Sequence, residues 1–416
     1  MTGASGRPAG LAAPLALLAL AAVSVLLAAP GADLVPAQVG DGPAWLRGIY
    51  GGGIDIGGGA YYALLWGAFA AYLAVLATAH RLPGRWLGAA IAVLVLGFTL
   101  APPLLSQDVF SYISYARLGA EHGLNPYETA PAAVPGDAAL PYVGWRDAVS
   151  AYGPAFTLAS YPLGTIGVAP ALWALKALAG LSVLGVAALT ARLAAVRGVD
   201  PRMAAAFVGL NPLVLVHVVG GAHNDGLMML LVMGAAAALA AGRELAAGSG
   251  VVGGAAIKVS GAFAAPFALV GSRRRLPFLL GAASAAGALA IATVALFGSG
   301  AVESLALVGE NQAHTSRYSI PATISRITEV DVDVLRAVLL AAYALLVGWL
   351  LVWTARGGDW LRAAAWAAFG LLIATGWLLP WYLLWVLPLA AVARDRTLAG
   401  LVLALTAFQL INRVPM

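Results

Sequence analysis

Apolar runs close to the length of a membrane crossing recur along almost the whole chain, separated by short polar breaks. A run of roughly 20 apolar residues spans the hydrocarbon core of a bilayer as a helix. The pattern predicts spans at about 11–29, 61–79, 87–105, 168–191, 203–219, 226–242, 276–297, 335–355, 361–378, 382–393 and 397–411. The first has one arginine before it (Arg7), and Ala28-Ala29-Pro30 makes a poor cleavage site, so it reads as a retained helix. The segment 247–271 is apolar but has basic residues on both flanks (Arg243 and Arg273–Arg275), and about 25 residues cannot cross twice. It predicts a re-entrant pair of short helices with Lys258 near the turn. Such backbone is tolerated at depth only where it is buried in protein or lines a cavity.

If the spans alternate, fourteen of the 23 basic residues share one side, among them Arg81, Arg85, Arg192, Arg243 and Arg394. The excess of arginine marks that side as cytoplasmic. Three polar loops, at about 30–60, 106–167 and 298–334, then face outward and hold most of the acids, including Asp33, Asp41, Asp108, Asp137, Glu303 and Glu310. Residues 1–416 read as one membrane-embedded domain, with 106–167 and 298–334 as its large extracytoplasmic loops.

Composition agrees with this reading. The 416 residues are 62% hydrophobic and 10% charged, against about 25% charged in an average protein. A soluble enzyme or a disordered chain is thereby excluded. The net charge of +5 is scattered between apolar runs, which speaks against a nucleic-acid partner. The chain has no cysteine, so thiolate, disulfide and zinc–cysteine chemistry are excluded too. The fold class is all-α and polytopic, with about 11 spans and one re-entrant hairpin.

The candidate chemistry gathers in the outward loops. Ser106-Gln107-Asp108 opens a predicted helix running to about Glu121, capped by Ser106. On it Asp108, Tyr112, Tyr115, Gly119 and His122 share one face, and Val109, Ile113, Ala116 and Ala120 another. Asp108 there either complements the helix dipole or serves as a working carboxylate. His223-Asn224-Asp225 joins two spans, as a helix cap or as pocket residues; as metal ligands His223 and Asp225 make a weak pair. Lys258, inside an apolar hairpin, must snorkel or find an anion. The run from His314 to Pro321, with Arg317, is a solvated loop or a cationic patch. Pro380-Trp381-Tyr382 belongs to an interfacial aromatic belt or to a binding surface, and Tyr152 stands in the same position. Aromatic faces suit sugars and cations suit phosphate. One carboxylate can serve as the base of a direct displacement.

The ordered motifs Gln-Asp-Val-Phe-Ser-Tyr (107–112), Gly-Leu-Asn-Pro-Tyr (123–127), Tyr-Gly-Pro (152–154), Asn-Pro-Leu (211–213), His-Asn-Asp (223–225), Ile-Lys-Val (257–259) and Pro-Trp-Tyr (380–382) resemble those of the actinobacterial polyprenol-phosphate-mannose-dependent α-1,6-mannosyltransferases. These are GT-C glycosyltransferases. The resemblance covers roughly 60–390. It implies a multi-pass plasma-membrane enzyme with an extracytoplasmic active site. Its donor would be polyprenyl-phosphate-mannose and its acceptor a mannoside of a lipomannan-type lipoglycan, with inversion at C1. Asp108 would be the catalytic base. Lys258, Arg317 and His314 would hold the donor phosphate. Tyr112, Tyr152, His223, Asn224, Asp225, Trp381 and Tyr382 would contact the sugars. No metal or organic cofactor is expected. GT-C enzymes also use arabinofuranose and glucose donors. Outside that class the competing readings are a secondary transporter, with Asp108, Asp225 and Lys258 as coupling charges, and a flippase-like assembly protein. Long one-sided loops count against the transporter.

Overall fold

A computed structural model of the chain describes residues 8–31, 34–36, 39, 42–50, 53–298 and 314–415. Arg7, Asp33, Asp41, Glu303 and Glu310 lie outside the described residues. The described chain is helical throughout; its one β contact is an isolated bridge between Pro30 and Ile54.

Five helices are long and apolar enough to cross a membrane: Leu11–Ala28, Gly58–Arg81, Val168–Val196, Arg275–Phe297 and Val332–Ala355. A sixth crossing is broken. Pro201–Gly209 and Val214–Gly220 meet at 60°. The break falls at Asn211-Pro212, where Pro212 has no N–H to donate and the Asn211 side-chain oxygen accepts the Leu213 N–H at 3.0 Å. Val214–Gly220 is wound as a π-helix.

The remaining predicted spans are shorter than the apolar pattern implied. The span at 87–105 is a helix only over Gly84–Thr99, because Pro102-Pro103 ends it. Those at 226–242, 361–378 and 397–411 are Asp225–Ala240, Trp360–Ala374 and Arg396–Gln409. The one at 382–393 is a 3₁₀ turn, Pro380–Trp385, followed by Leu387–Val392. Acids cap several of these helices: Asp359 accepts from the N–H groups of Leu361 and Arg362, and Asp395 from that of Leu398.

Only 6% of the Val332–Ala355 crossing and 11% of Arg275–Phe297 is buried against protein. Leu279, Leu280, Ile291, Val338, Leu345 and Trp349 stand exposed on them. So large an apolar surface is stable in lipid and not in water. The protein is membrane-embedded.

The predicted hairpin forms. Glu244–Ile257 ends at Lys258, whose backbone is extended, and the chain continues through a 3₁₀ turn (Val259–Ala264) into Ala265–Gly271. The chain doubles back so closely that a Cβ on Gly261 would come within 2.8 Å of the Gly254 carbonyl carbon.

Candidate functional site

The first loop helix is Asp108–Ala120, which we label α1. Leu105 before it takes a left-handed φ of 57°. The Ser106 hydroxyl accepts the Asp108 N–H at 3.2 Å, while Gln107 occupies the cap position without a side-chain cap bond. The expected division into a polar and an apolar face does not hold: Val109 through Leu118 are all buried. The loop 121–153 wraps the outward side of α1, so its phenols are covered as well.

The loop motifs supply that wrapping. Asn125 donates to the Phe297 carbonyl at 2.8 Å and accepts the Tyr127 N–H at 3.1 Å. The Tyr127 hydroxyl donates to the Tyr152 carbonyl at 2.9 Å. Gly153 then lies directly on the hairpin. Its N–H bonds the Ile257 carbonyl at 3.1 Å, and a Cβ there would meet the Ala256 oxygen at 2.1 Å. The loop and the turn bearing Lys258 are thus held edge to edge.

Between them opens a cavity of about 560 Å³, a size that takes a small ligand. Asp108, Trp145, Tyr152, Lys258, Trp381, Tyr382 and Arg413 line it. Asp108 leaves 20% of its side chain accessible, and Trp145 Nε1 donates to its Oδ1 at 3.2 Å. Burial lifts the Asp108 carboxyl above the usual carboxylate range; the Lys258 charge, the Trp145 bond and the Arg413 charge oppose that lift. A raised carboxyl is a stronger base once ionised.

The triad 223–225 divides into three roles. Asp225 is fully buried, and its carboxylate is saturated: Lys258 Nζ lies 3.0 and 2.9 Å from its two oxygens, and Trp385 Nε1 donates at 2.6 Å. It therefore lies behind the cavity wall, not on it, and it is the partner of Lys258. Asn224 stands at the start of Asp225–Ala240 without a side-chain cap bond, so the capping reading fails for it. It too is buried outside the cavity. His223 is fully buried and stacks on Trp381, with ring centroids 3.6 Å apart. Its Nδ1 is 3.6 Å from Asp108 Oδ2, so it backs the carboxylate rather than facing a ligand.

Other expected site residues fall elsewhere. Tyr112 is 2% exposed and packs edge-on against Tyr152 at 4.7 Å, supporting the wall from behind. His314 sits against Trp377, and Arg317 over the Tyr318 ring; neither lines the cavity. His122 leaves the Asp108 face and bonds Asp137 at 2.7 Å, beside Arg117 at 2.9 Å. Gly119 is packed against Tyr161.

Two residues emerge only in three dimensions. Arg413, in the turn after Arg396–Gln409, lines the cavity from the far side. Lys176 is fully buried in Val168–Val196 and donates to the carbonyls of Gly220 at 2.7 Å and Pro102 at 3.4 Å. It ties together the two segments that lead into His223 and Asp108. Its signal was present in the sequence as a lone lysine in an apolar span. Arg413 carried no local signal.

Fold and site together define a multi-span membrane protein with one accessible carboxylate in an aromatic, cation-bearing cavity. Residues 12–273 match the family described as α-(1→6)-mannopyranosyltransferase, N-terminal domain, and 314–416 match the MptB C-terminal domain. The chain belongs to this α-(1→6)-mannopyranosyltransferase family. It is 35% identical over 175 residues to α-(1→6)-mannopyranosyltransferase A of Mycobacterium tuberculosis, covering 40% of this chain and 33% of that protein. It is 29% identical over 179 residues to α-(1→6)-mannopyranosyltransferase A of Corynebacterium glutamicum, covering 42% and 36%. The matched stretches span about a third of those relatives' length. No solved structure matches the chain.

Proposed function

We propose that the protein transfers mannose from polyprenyl-phosphate-mannose to a mannoside acceptor of a lipoglycan, forming an α-1,6 linkage at the extracytoplasmic face of the plasma membrane. The observation that carries this reading is the isolation of Asp108: with Asp225 saturated behind the wall, Asp108 is the carboxylate that lines the cavity. Asp108 takes the proton of the acceptor's 6-hydroxyl. That oxygen attacks C1 of the mannose and the C1–O bond to phosphate breaks. Polyprenyl phosphate leaves with the bonding pair and one more negative charge than it carried as a diester. Attack opposite the leaving group converts a β-linked donor into an α-linked product. Cations preorganised around the departing phosphate lower the barrier, since charge grows there in the transition state. Trp145, Tyr152, Trp381 and Tyr382 supply the stacking and hydrogen-bonding surfaces for the two sugars. The loops 106–167 and 298–334 belong to the extracytoplasmic side.

The test is transfer by the purified protein from radiolabelled polyprenyl-phosphate-mannose to an α-1,6-mannobiose, with the product linkage read by NMR. Parallel reactions with arabinofuranose and glucose donors check the sugar. Asp108→Asn should lose roughly 10²–10⁴-fold in turnover. Near-normal turnover in that variant refutes the base assignment. Single cysteines at Asp137 and Arg274 should label from opposite sides of intact cells; labelling of both from outside refutes the orientation.

A further inference from the structure

We infer that Arg413 is the anion-binding residue of the cavity, and that its ligand is the phosphate ester of the lipid carrier. The inference rests on the reading above for the identity of that ester. It begins with the charges that line the cavity: Asp108, Lys258 and Arg413. Lys258 faces both oxygens of the buried Asp225, so its charge is met from behind. Asp108 contributes a negative charge. An anion entering beside these groups meets a local balance that repels it, unless a further cation stands in the cavity.

Arg413 is that cation. It is exposed, and among the described residues no ion pair engages it. Its guanidinium stands 5.8 Å from the Trp377 ring and 5.9 Å from the Trp381 ring, both of which line the cavity. Ring faces hold a guanidinium plane while leaving its edge N–H groups free, and that edge matches a phosphate. The backbone is committed to this placement. Arg413 takes φ 69°, in the left-handed region, and the turn carrying it is pinned from both sides. The Asn412 amide donates to Gln409 Oε1 at 2.8 Å and to the Leu378 carbonyl, and Gln409 Nε2 donates to the Tyr318 carbonyl at 2.7 Å. Gln409 and Asn412 are both buried. The two cations expected for the phosphate from sequence, His314 and Arg317, lie outside the cavity.

The experiment measures binding of farnesyl phosphate, farnesol and inorganic phosphate to the full-length protein in nanodiscs. The native protein should prefer farnesyl phosphate to farnesol. Arg413→Gln should lose that preference by at least about tenfold, the scale of one charge-assisted hydrogen bond. Farnesol binding should stay unchanged, which also shows that the variant folds. Arg413→Lys keeps the charge without the fork and should fall between. An unchanged farnesyl phosphate affinity in Arg413→Gln, or an equal loss for farnesol, overturns the proposal. Inorganic phosphate competing as well as farnesyl phosphate overturns the lipid source. Should the native protein transfer no mannose yet bind farnesyl phosphate through Arg413, the sugar assignment fails and the phosphate site stands.

Discussion

Replacing Lys258 by methionine removes a charge and keeps most of the side chain's length and apolar volume. The consequence falls on Asp225. That carboxylate has no accessible surface, while the lysine side chain retains 17%. Without the ammonium, Asp225 keeps one strong donor, Trp385 Nε1. Removing one partner of a buried pair typically costs about 3–5 kcal/mol. The partial exposure of Lys258 and the surviving Trp385 bond place the expected loss near the lower end, about 3 kcal/mol. The paired variant Asp225→Asn/Lys258→Met strands no charge, and it should recover most of the loss. The assay is denaturant unfolding of the purified protein in detergent, without donor, on the native chain, both single variants and the double. A coupling energy near zero, or a Lys258→Met protein as stable as the native one, would show that the ammonium is not held by Asp225. Lys258 would then be available to an outside anion, and the charge accounting that singles out Arg413 would fall with it.

Other consequences are as direct. Trp145→Phe removes a bond that favours the ionised form of Asp108; the acid limb of kcat/KM should therefore move to higher pH, and a limb that stays or moves down contradicts the assignment. Gly153→Ala forces a methyl against the Ala256 carbonyl at 2.1 Å, a backbone atom that cannot swing aside. Its cost should be about 1–3 kcal/mol in unfolding free energy, with turnover falling as the Lys258 turn shifts. The Asp137 carboxyl is raised by burial, but bonds from His122, the Ala139 N–H and Arg117 outweigh that and hold it below its ordinary value of 3.8. Its contribution should be complete above about pH 4 and be lost as pH falls through the lower folded value. Asp137→Asn should cost about 1.5–3 kcal/mol at neutral pH and flatten that acid dependence; an unaltered acid dependence points to other carboxylates.

What the sequence disclosed is whatever depends on near neighbours. The helix opening at Asp108, the break at Lys258 and the long lipid-facing spans follow from periodicity, proline and apolar length. What it concealed depends on who meets whom. Asp225 and Lys258 are 33 residues apart, and Asp225 and Trp385 are 160 apart. No spacing rule connects them, so Lys258 stood without a visible partner and Asp225 looked like a pocket residue. The same blindness placed Tyr112 and His223 in direct contact with substrate, whereas packing puts them one layer back. Short helices such as Gly84–Thr99 and Leu387–Val392 misled the span boundaries, because apolar character continues past the prolines that end the hydrogen-bond ladder. Arg413 was illegible for a different reason: it is one basic residue among 23, and only the rings beneath it mark it out.

The π-helical stretch Val214–Gly220 has a bearing on heredity as well as on geometry. Its N–H groups reach five residues back: Gly221 to Val216 at 3.1 Å, and His223 to Val218 at 3.0 Å. A π-turn absorbs one residue more than the α-helix does, and each residue of an α-helix advances the phase by about 100°. Loss of a single codon here would let the segment relax into an α-helix. His223 and Asp225 would then rotate by about that angle, away from Trp381 and Lys258, with every side chain in the cavity still encoded. Exchanges among valine, leucine and isoleucine within the segment leave the phase untouched. The length of this segment, counted in codons, is therefore as much a determinant of the site as any residue that lines it.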